Sequence, residues 1–257
     1  FMCHVASSVL LQGRNVLYIT MEMAEEKIAE RIDANLLDVS IQDLTDLPKV
    51  MFENKVTAVS KKTQGQLIIK EYPTAGAHSG HFKGLLNELA LKKSFKPDII
   101  FVDYLNICAS PRYKANANVN SYSYIKAIAE ELRGLAVESN LPIVSATQTT
   151  RSGFASSDVD LTDTSESFGL PATADLMFAL ISTEELEGLN QIMVKQLKNR
   201  YNDPTIYKRF VIGIDRAKMR LYDCEQKAQD DILDNGGEEE YNKEDKKPKK
   251  SFAEFKF

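Results

Sequence analysis

Three residues of types that do chemistry each stand just beyond a short apolar run. Asp103 closes Ile99, Ile100, Phe101 and Val102; Glu22 lies two residues past the run that ends Leu17, Tyr18, Ile19, Thr20; Gln148 follows LPIVSAT, Leu141 to Thr147. Four apolar residues and then an acid form the Walker B pattern, in which the carboxylate holds the Mg²⁺ of a nucleotide through water. The plainer alternative is a strand closed by a capping aspartate, and the choice turns on whether neighbouring strands also end in suitable polar residues. Glu22 could polarise a water, Asp103 could serve a metal, and the Gln148 amide could sense a γ-phosphate. Together they make a set that phosphoryl transfer can use.

Such a set works only if the strands lie side by side with their carboxyl ends at one edge. The run before Asp103 is β-branched or aromatic and far too short to cross a membrane, which predicts a central strand buried on both faces of a parallel sheet. Residues 14–20 and 141–147 predict two more strands, and 66–71 a fourth. Between them lie helical patterns over 1–12, 24–37, 48–63, from Ser79 past Phe82, Leu85, Leu86 and Leu89, and over 119–138, with Ile28, Ile32 and Leu36, or Ile125, Ile128, Leu132 and Leu135, on one face. Ser79 is the expected cap of its helix. The nearby pair His78 and His81 fits a helix start better than a metal site, because no Cys or acidic cluster accompanies it. Alternating strands and helices predict an α/β fold, a parallel sheet with helices on both faces and ligands at the carboxyl edge.

The second half changes character. Residues 149–173, rich in Ser, Thr, Asp and Gly, predict a long loop, either functional or disordered. Strands over 175–182 and 190–198, then a hairpin of 207–214 with 218–223, predict an antiparallel extension of the sheet. Lys198 and Arg200, two residues apart, would project on one side with no acidic partner nearby in sequence; the alternative is an ordinary solvated basic turn. From Glu225 onward seven Lys and ten Asp or Glu surround few aliphatic residues, so a disordered tail is expected over 224–257.

Composition sets the outer bounds. The chain has 257 residues, 43% hydrophobic and 27% charged, as expected for one large globular domain. No apolar run approaches a membrane span and no signal-peptide pattern is visible. Three separated cysteines suggest a reducing, cytoplasmic setting. A net charge of -5 argues against a surface coated in positive charge, so any nucleic-acid contact must come from local loops or a channel.

The motifs also resemble a known family, the motor domain of DnaB-type hexameric replicative helicases, and most closely its members from T-even-like bacteriophages. The resemblance runs to about Asp223. LYITMEMAEEKIAERI resembles the family's strand, acid and helix, which implies that Glu22 activates water. PDIIFVDYLNI resembles its Walker B, implying Asp103 as the Mg²⁺ ligand, and LPIVSATQTTRS its next motif, implying Gln148 as the γ-phosphate sensor. DTSESFGLPATADLMF resembles the DNA-contacting loop, with Ser165, Glu166 and Phe168 at the contact positions, although bacterial members tend to carry arginine where Ser165 stands. KNR, Lys198 to Arg200, resembles the basic pair that reaches into the neighbouring subunit's nucleotide site.

The resemblance implies a RecA-like P-loop NTPase core over 1–223, ATP and Mg²⁺ at subunit interfaces, and a homo-hexamer moving 5′ to 3′ on single-stranded DNA. Primase, a helicase loader and other replisome proteins would be its partners, and Arg112, Lys114 and Arg151 further candidates for the channel lining. The family's phosphate-binding loop, G-x-x-x-x-G-K-[ST], stands immediately before the helix that begins here at Phe1, and these 257 residues contain no such motif. The expectation is a sequence that starts just after that loop, with the isolated chain inactive. A RecA-like recombinase, or a module that binds DNA or nucleotide without hydrolysis, would share the same core.

Overall fold

The apolar run before Asp103 forms a strand whose alternate side chains enter two different cores. In this computed structural model, which describes residues 1–113, 119–149, 160–161, 169–203 and 206–224, that strand is β3 (Ile99–Asp103). It lies between β1 (Val16–Thr20) and β4 (Ile143–Ser145), with β2 (Leu67–Glu71) beyond β1, and all the pairings are parallel. Ile100 and Val102, with Leu17 and Ile19, pack against α5 (Ser79–Lys93) and α6 (Ser121–Ser139) through Phe82, Leu85, Leu89, Ile128, Leu132 and Leu135. Phe101, with Val16 and Tyr18, faces α1 (Met2–Leu11) and α2 (Glu25–Leu37) through Cys3, Ala6, Leu10, Ile28 and Ile32. Each such aliphatic side chain taken from water contributes about 1.5–3 kcal/mol, so a strand apolar on both faces is held at the centre.

Several expectations change in detail. β4 is only three residues long and half-buried, because it borders the parallel sheet and pairs with β3 only from Ile100 to Val102. An unforeseen short helix, α3 (Ile41–Asp46), precedes α4 (Lys49–Ser60); neither buries a residue, so α3 left no apolar period to read. α5 is capped by His78 and not by Ser79: its Nδ1 accepts from the Gly80 N–H at 3.0 Å, and His81 Nδ1 accepts from the His78 N–H at 3.2 Å. The two histidines thus serve the helix start.

The remaining strands, β5 (Leu176–Ile181), β6 (Gln191–Asn199), β7 (Arg209–Asp215) and β8 (Arg220–Asp223), form a second, antiparallel sheet in that order, with short helices α7 (Gly169–Thr173) before β5 and α8 (Glu184–Gly188) after it. Among the described pairings this sheet stands apart from the ladder of β4. The β7–β8 hairpin is tied to α1, α2 and α3: Ala217 O accepts from Ile41 N–H, Met219 O from Asn35 Nδ2, and His4 Nδ1 from Leu221 N–H. Asp38, at the left-handed end of α2, accepts from Lys218 at 3.0 Å and Arg220 at 2.7 Å, and these bonds hold its carboxyl below the ordinary range. Of the tail expected over 224–257, residues 225–257 lie outside the described residues.

Candidate active site

Glu22, Asp103 and Gln148 meet at one edge, because β1, β3 and β4 are neighbours and run in the same direction. Thr20 and Asp103 are register partners, and the chain then bends away from β1 with its Met21 N–H donating to the Asp103 carbonyl at 2.9 Å. The bend is closed by Thr20, buried, whose Oγ1 donates to Met23 O at 2.8 Å and accepts from Met23 N–H at 3.1 Å. From the other side Thr74 Oγ1 donates to Met21 O at 2.8 Å. Met21 and Met23 are thereby fixed while Glu22, between them, stays exposed to whatever occupies the edge.

Asp103 is half-buried, and Tyr18 sets its orientation. The Tyr18 hydroxyl donates to Asp103 Oδ2 at 2.8 Å, while its ring, fully buried, stacks on Phe101 with centroids 5.6 Å apart. Burial first, and then the nearby Cys3 and Asp103, push the Tyr18 hydroxyl far above its ordinary range, so it remains a donor. The Asp103–Tyr104 peptide is cis. Beyond it, the exposed Gln148 amide donates to Tyr104 Oη at 3.3 Å, Leu105 N–H donates to Ala146 O, and Thr147 Oγ1 donates to Asn106 at 2.8 Å. A short hydrogen-bonded path therefore links Glu22, Asp103 and Gln148 through Met21 and Tyr104. Tyr18, Thr20, Thr74 and Tyr104 escaped the sequence reading, since hydroxyls within or beside apolar runs carry no spacing signal.

Can Asp103 hold a magnesium ion? Among the described residues no group of three or more His, Cys, Asp or Glu could hold a metal unaided. A single carboxylate at a sheet edge, one oxygen already engaged by Tyr18, suits Mg²⁺ that takes its other ligands from phosphate oxygens and water.

The basic pair lies at the end of β6. Lys198 Nζ donates to the carbonyls of Pro171 and Ala172, and Arg200 Nη2 to Ala172 O at 2.9 Å, so both reach one side as expected. Burial, and then Arg200, push the Lys198 ammonium below its ordinary range. Arg200 does have an acidic partner, 25 positions back in the chain: its Nη1 lies 3.0 Å from Asp175 Oδ1. The β5–β6 pairing, not sequence proximity, brings that aspartate into reach. Arg112 is bonded to Glu130 and lies 3.5 Å from Glu131, so a phosphate would have to displace these acids. Lys114, Arg151, Ser165, Glu166 and Phe168 lie outside the described residues.

Known structures share this fold. The chain superimposes with TM-score 0.69 at 17% identity on a structure described as a DnaB-like replicative helicase and its interactions with primase, covering 87% of this chain and 54% of that one. A second solved structure, described as an ATPase domain, gives the same TM-score and identity, covering 86% of this chain and 78% of that one. At such identity the likeness speaks for the fold alone, a RecA-like α/β core. The family described as the DnaB-like helicase C terminal domain matches residues 1–209, and this chain belongs to it.

Among its relatives, the DnaB-like replicative helicase of Enterobacteria phage T4 is 48% identical over 228 residues, which are 88% of this chain and 48% of that protein. The replicative DNA helicase DnaB of Helicobacter pylori is 27% identical over 184 residues, 70% of this chain and 36% of that one. The chain thus spans about half, or less, of the length of these relatives. No described helix is long and apolar enough to cross a membrane.

Proposed function

We propose that residues 1–223 are the ATP-hydrolysing motor of a replicative DNA helicase, working as a homo-hexameric ring that moves 5′ to 3′ on single-stranded DNA, with 224–257 a charged tail. The observation that carries this reading is the convergence of Glu22, Asp103 and Gln148 at the carboxyl ends of three adjacent parallel strands. Family membership supports it from an independent direction.

The chemistry follows from the placements. Glu22, on a bend fixed at Met21 and Met23, accepts the proton of a water aligned with the γ-phosphorus of ATP; the water oxygen bonds to phosphorus as the bond to ADP breaks. Asp103, oriented by Tyr18, would hold Mg²⁺, which when bound neutralises phosphate charge. Gln148, hydrogen-bonded to Tyr104, reports the presence of the terminal phosphate to the end of β4. Lys198 and Arg200 act on the adjacent subunit's nucleotide, where an arginine supplied in trans accelerates phosphoryl transfer about 10³- to 10⁵-fold. The loop of Ser165, Glu166 and Phe168, with Lys114 and Arg151, would track the DNA backbone without reading bases. A setting in the host-cell cytoplasm, with primase and a loader as partners, completes the proposal.

Two measurements test it. In the full-length protein, single-stranded DNA affinity should fall by about 0.7 log units per decade of salt for each phosphate contacted, and forked duplexes should be unwound only with hydrolysable ATP. Strand pairing in place of unwinding, or a response flat in salt, would overturn the reading. Separately, Tyr18→Phe should keep the stacked ring and the melting temperature. By freeing the Asp103 carboxylate it should weaken Mn²⁺ binding with ADP, followed by electron paramagnetic resonance, about tenfold, as expected when the group that orients a metal-binding carboxylate is lost. Unchanged Mn²⁺ affinity would remove Tyr18 from the metal site.

A further inference from the structure

We infer that Asp175 is the positioning residue of the basic pair, fixing the Arg200 guanidinium in the orientation from which it meets the adjacent subunit's phosphate. The inference rests on the proposed trans role of Arg200 and adds to it a residue that no sequence motif marks. Asp175 holds Arg200 at both ends: its carbonyl accepts from the Arg200 N–H at 2.8 Å, and its Oδ1 lies 3.0 Å from Arg200 Nη1. The guanidinium's other arm, Nη2, donates to Ala172 O at 2.9 Å, so the planar fork is fixed in direction as well as in place.

The carboxylate is in turn held by Arg133, whose Nη1 lies 2.7 Å from the same Oδ1 and donates to Thr173 O at 2.9 Å. Arg133, Arg200 and Lys198 surround one aspartate, so the cations of this cluster outnumber its acid. A surplus of positive charge is what a phosphate requires, and a one-to-one ion pair would have cancelled it.

Exposure separates this role from a stabilising one. The side chains of Arg133, Asp175 and Arg200 are 36%, 38% and 39% exposed. Exposed ion pairs of this kind add little to stability, because water and salt screen them. What the arrangement does supply is direction: Asp175, just before β5 and itself held by Arg133 of α6, and the Ala172 carbonyl of α7 converge on one guanidinium that otherwise swings on a long side chain. A groove whose lining includes Arg133, Ala172 and Arg200, with Glu130 and Glu138 as its acids, opens beside it, so the guanidinium can be approached from outside the chain.

The test uses the full-length protein. Asp175→Ala should lower kcat for ATP about tenfold and leave KM unchanged, because the nucleotide is held by the other subunit's residues. Asp175→Asn, which keeps one acceptor and serves if the alanine variant assembles poorly, should fall between the two. In an Arg200→Ala background neither substitution should lower kcat further. Full turnover by Asp175→Ala and Asp175→Asn beside a collapsed Arg200→Ala would overturn the positioning role while sparing the trans arginine. An undiminished Asp175 effect in the Arg200→Ala background would overturn it too. Normal turnover by Arg200→Ala itself would remove the trans reading, and the inference with it.

Discussion

Replacing Glu22 by Gln in the full-length protein is expected to abolish ATP turnover, by at least the 10²- to 10⁴-fold typical of a lost general base, while nucleotide binding and folding persist. The structure makes the substitution a narrow probe. The bend that presents Glu22 is closed by Thr20 to Met23, by Thr74 to Met21 and by Met21 to the Asp103 carbonyl, and none of these bonds uses the Glu22 carboxylate. Glutamine has the same length and can still hydrogen-bond a water, but it cannot take its proton. Steady-state hydrolysis, nucleotide titration and thermal melting should therefore separate cleanly, with only the first collapsing. Hydrolysis at the wild-type rate would show that another group prepares the water, and the role given to Gln148 at that edge would then change as well.

How much of this site could be read in advance depended on whether a residue's task is written in its immediate neighbours. Asp103 was legible because burial on both faces forces an unbroken apolar run, and the first polar residue after such a run must emerge at the sheet edge. Glu22 and Gln148 were legible for the same reason, once alternating helices implied parallel strands with all their carboxyl ends together. Tyr18 was not. Within a buried strand a tyrosine looks like any other large apolar residue, and its hydroxyl finds Asp103 only through a pairing that spans 85 positions. Thr20 and Thr74 were hidden in the same way, as a strand end and a loop residue whose partners lie on the Met21–Met23 bend.

The basic pair shows the complementary failure. Its spacing was visible, and the expectation that both side chains reach one side holds, since both donate to Ala172 O. The acidic partner was invisible because an antiparallel pairing, not a local pattern, carries Asp175 to the end of β6. Likewise α3 buries nothing, and a helix without a buried face has no period to betray it. Burial patterns announce strands and core helices, while the side chains that orient a site are recruited across the fold and announce nothing.

Mixing two inactive variants should restore activity if the nucleotide site is shared between subunits. Full-length Asp103→Ala loses the metal carboxylate from its own site but keeps Arg200; Arg200→Ala loses the arginine but keeps Asp103. Every interface in a ring of either variant alone is defective. In a ring assembled from an equal mixture, about a quarter of the head-to-tail interfaces pair an intact Asp103 with an intact Arg200, because a heterologous interface draws one face from each neighbour. The expected result is near-zero hydrolysis for each variant alone and a clear rise on co-assembly, greatest near equal proportions, with an arginine effect of about 10³- to 10⁵-fold giving ample range over background. The geometry gives a reason to expect this: Arg200 is held by Asp175 and the carbonyl of Ala172 just past the end of β6, while Asp103 is held by Tyr18 at the carboxyl edge of the parallel sheet, and no described bond links the side chains of Arg200 and Asp103. If no proportion restores hydrolysis although mixed rings form, Arg200 works within its own chain, and the cluster around Asp175 would have to be an anchor for β6 and not the root of a trans-acting arginine.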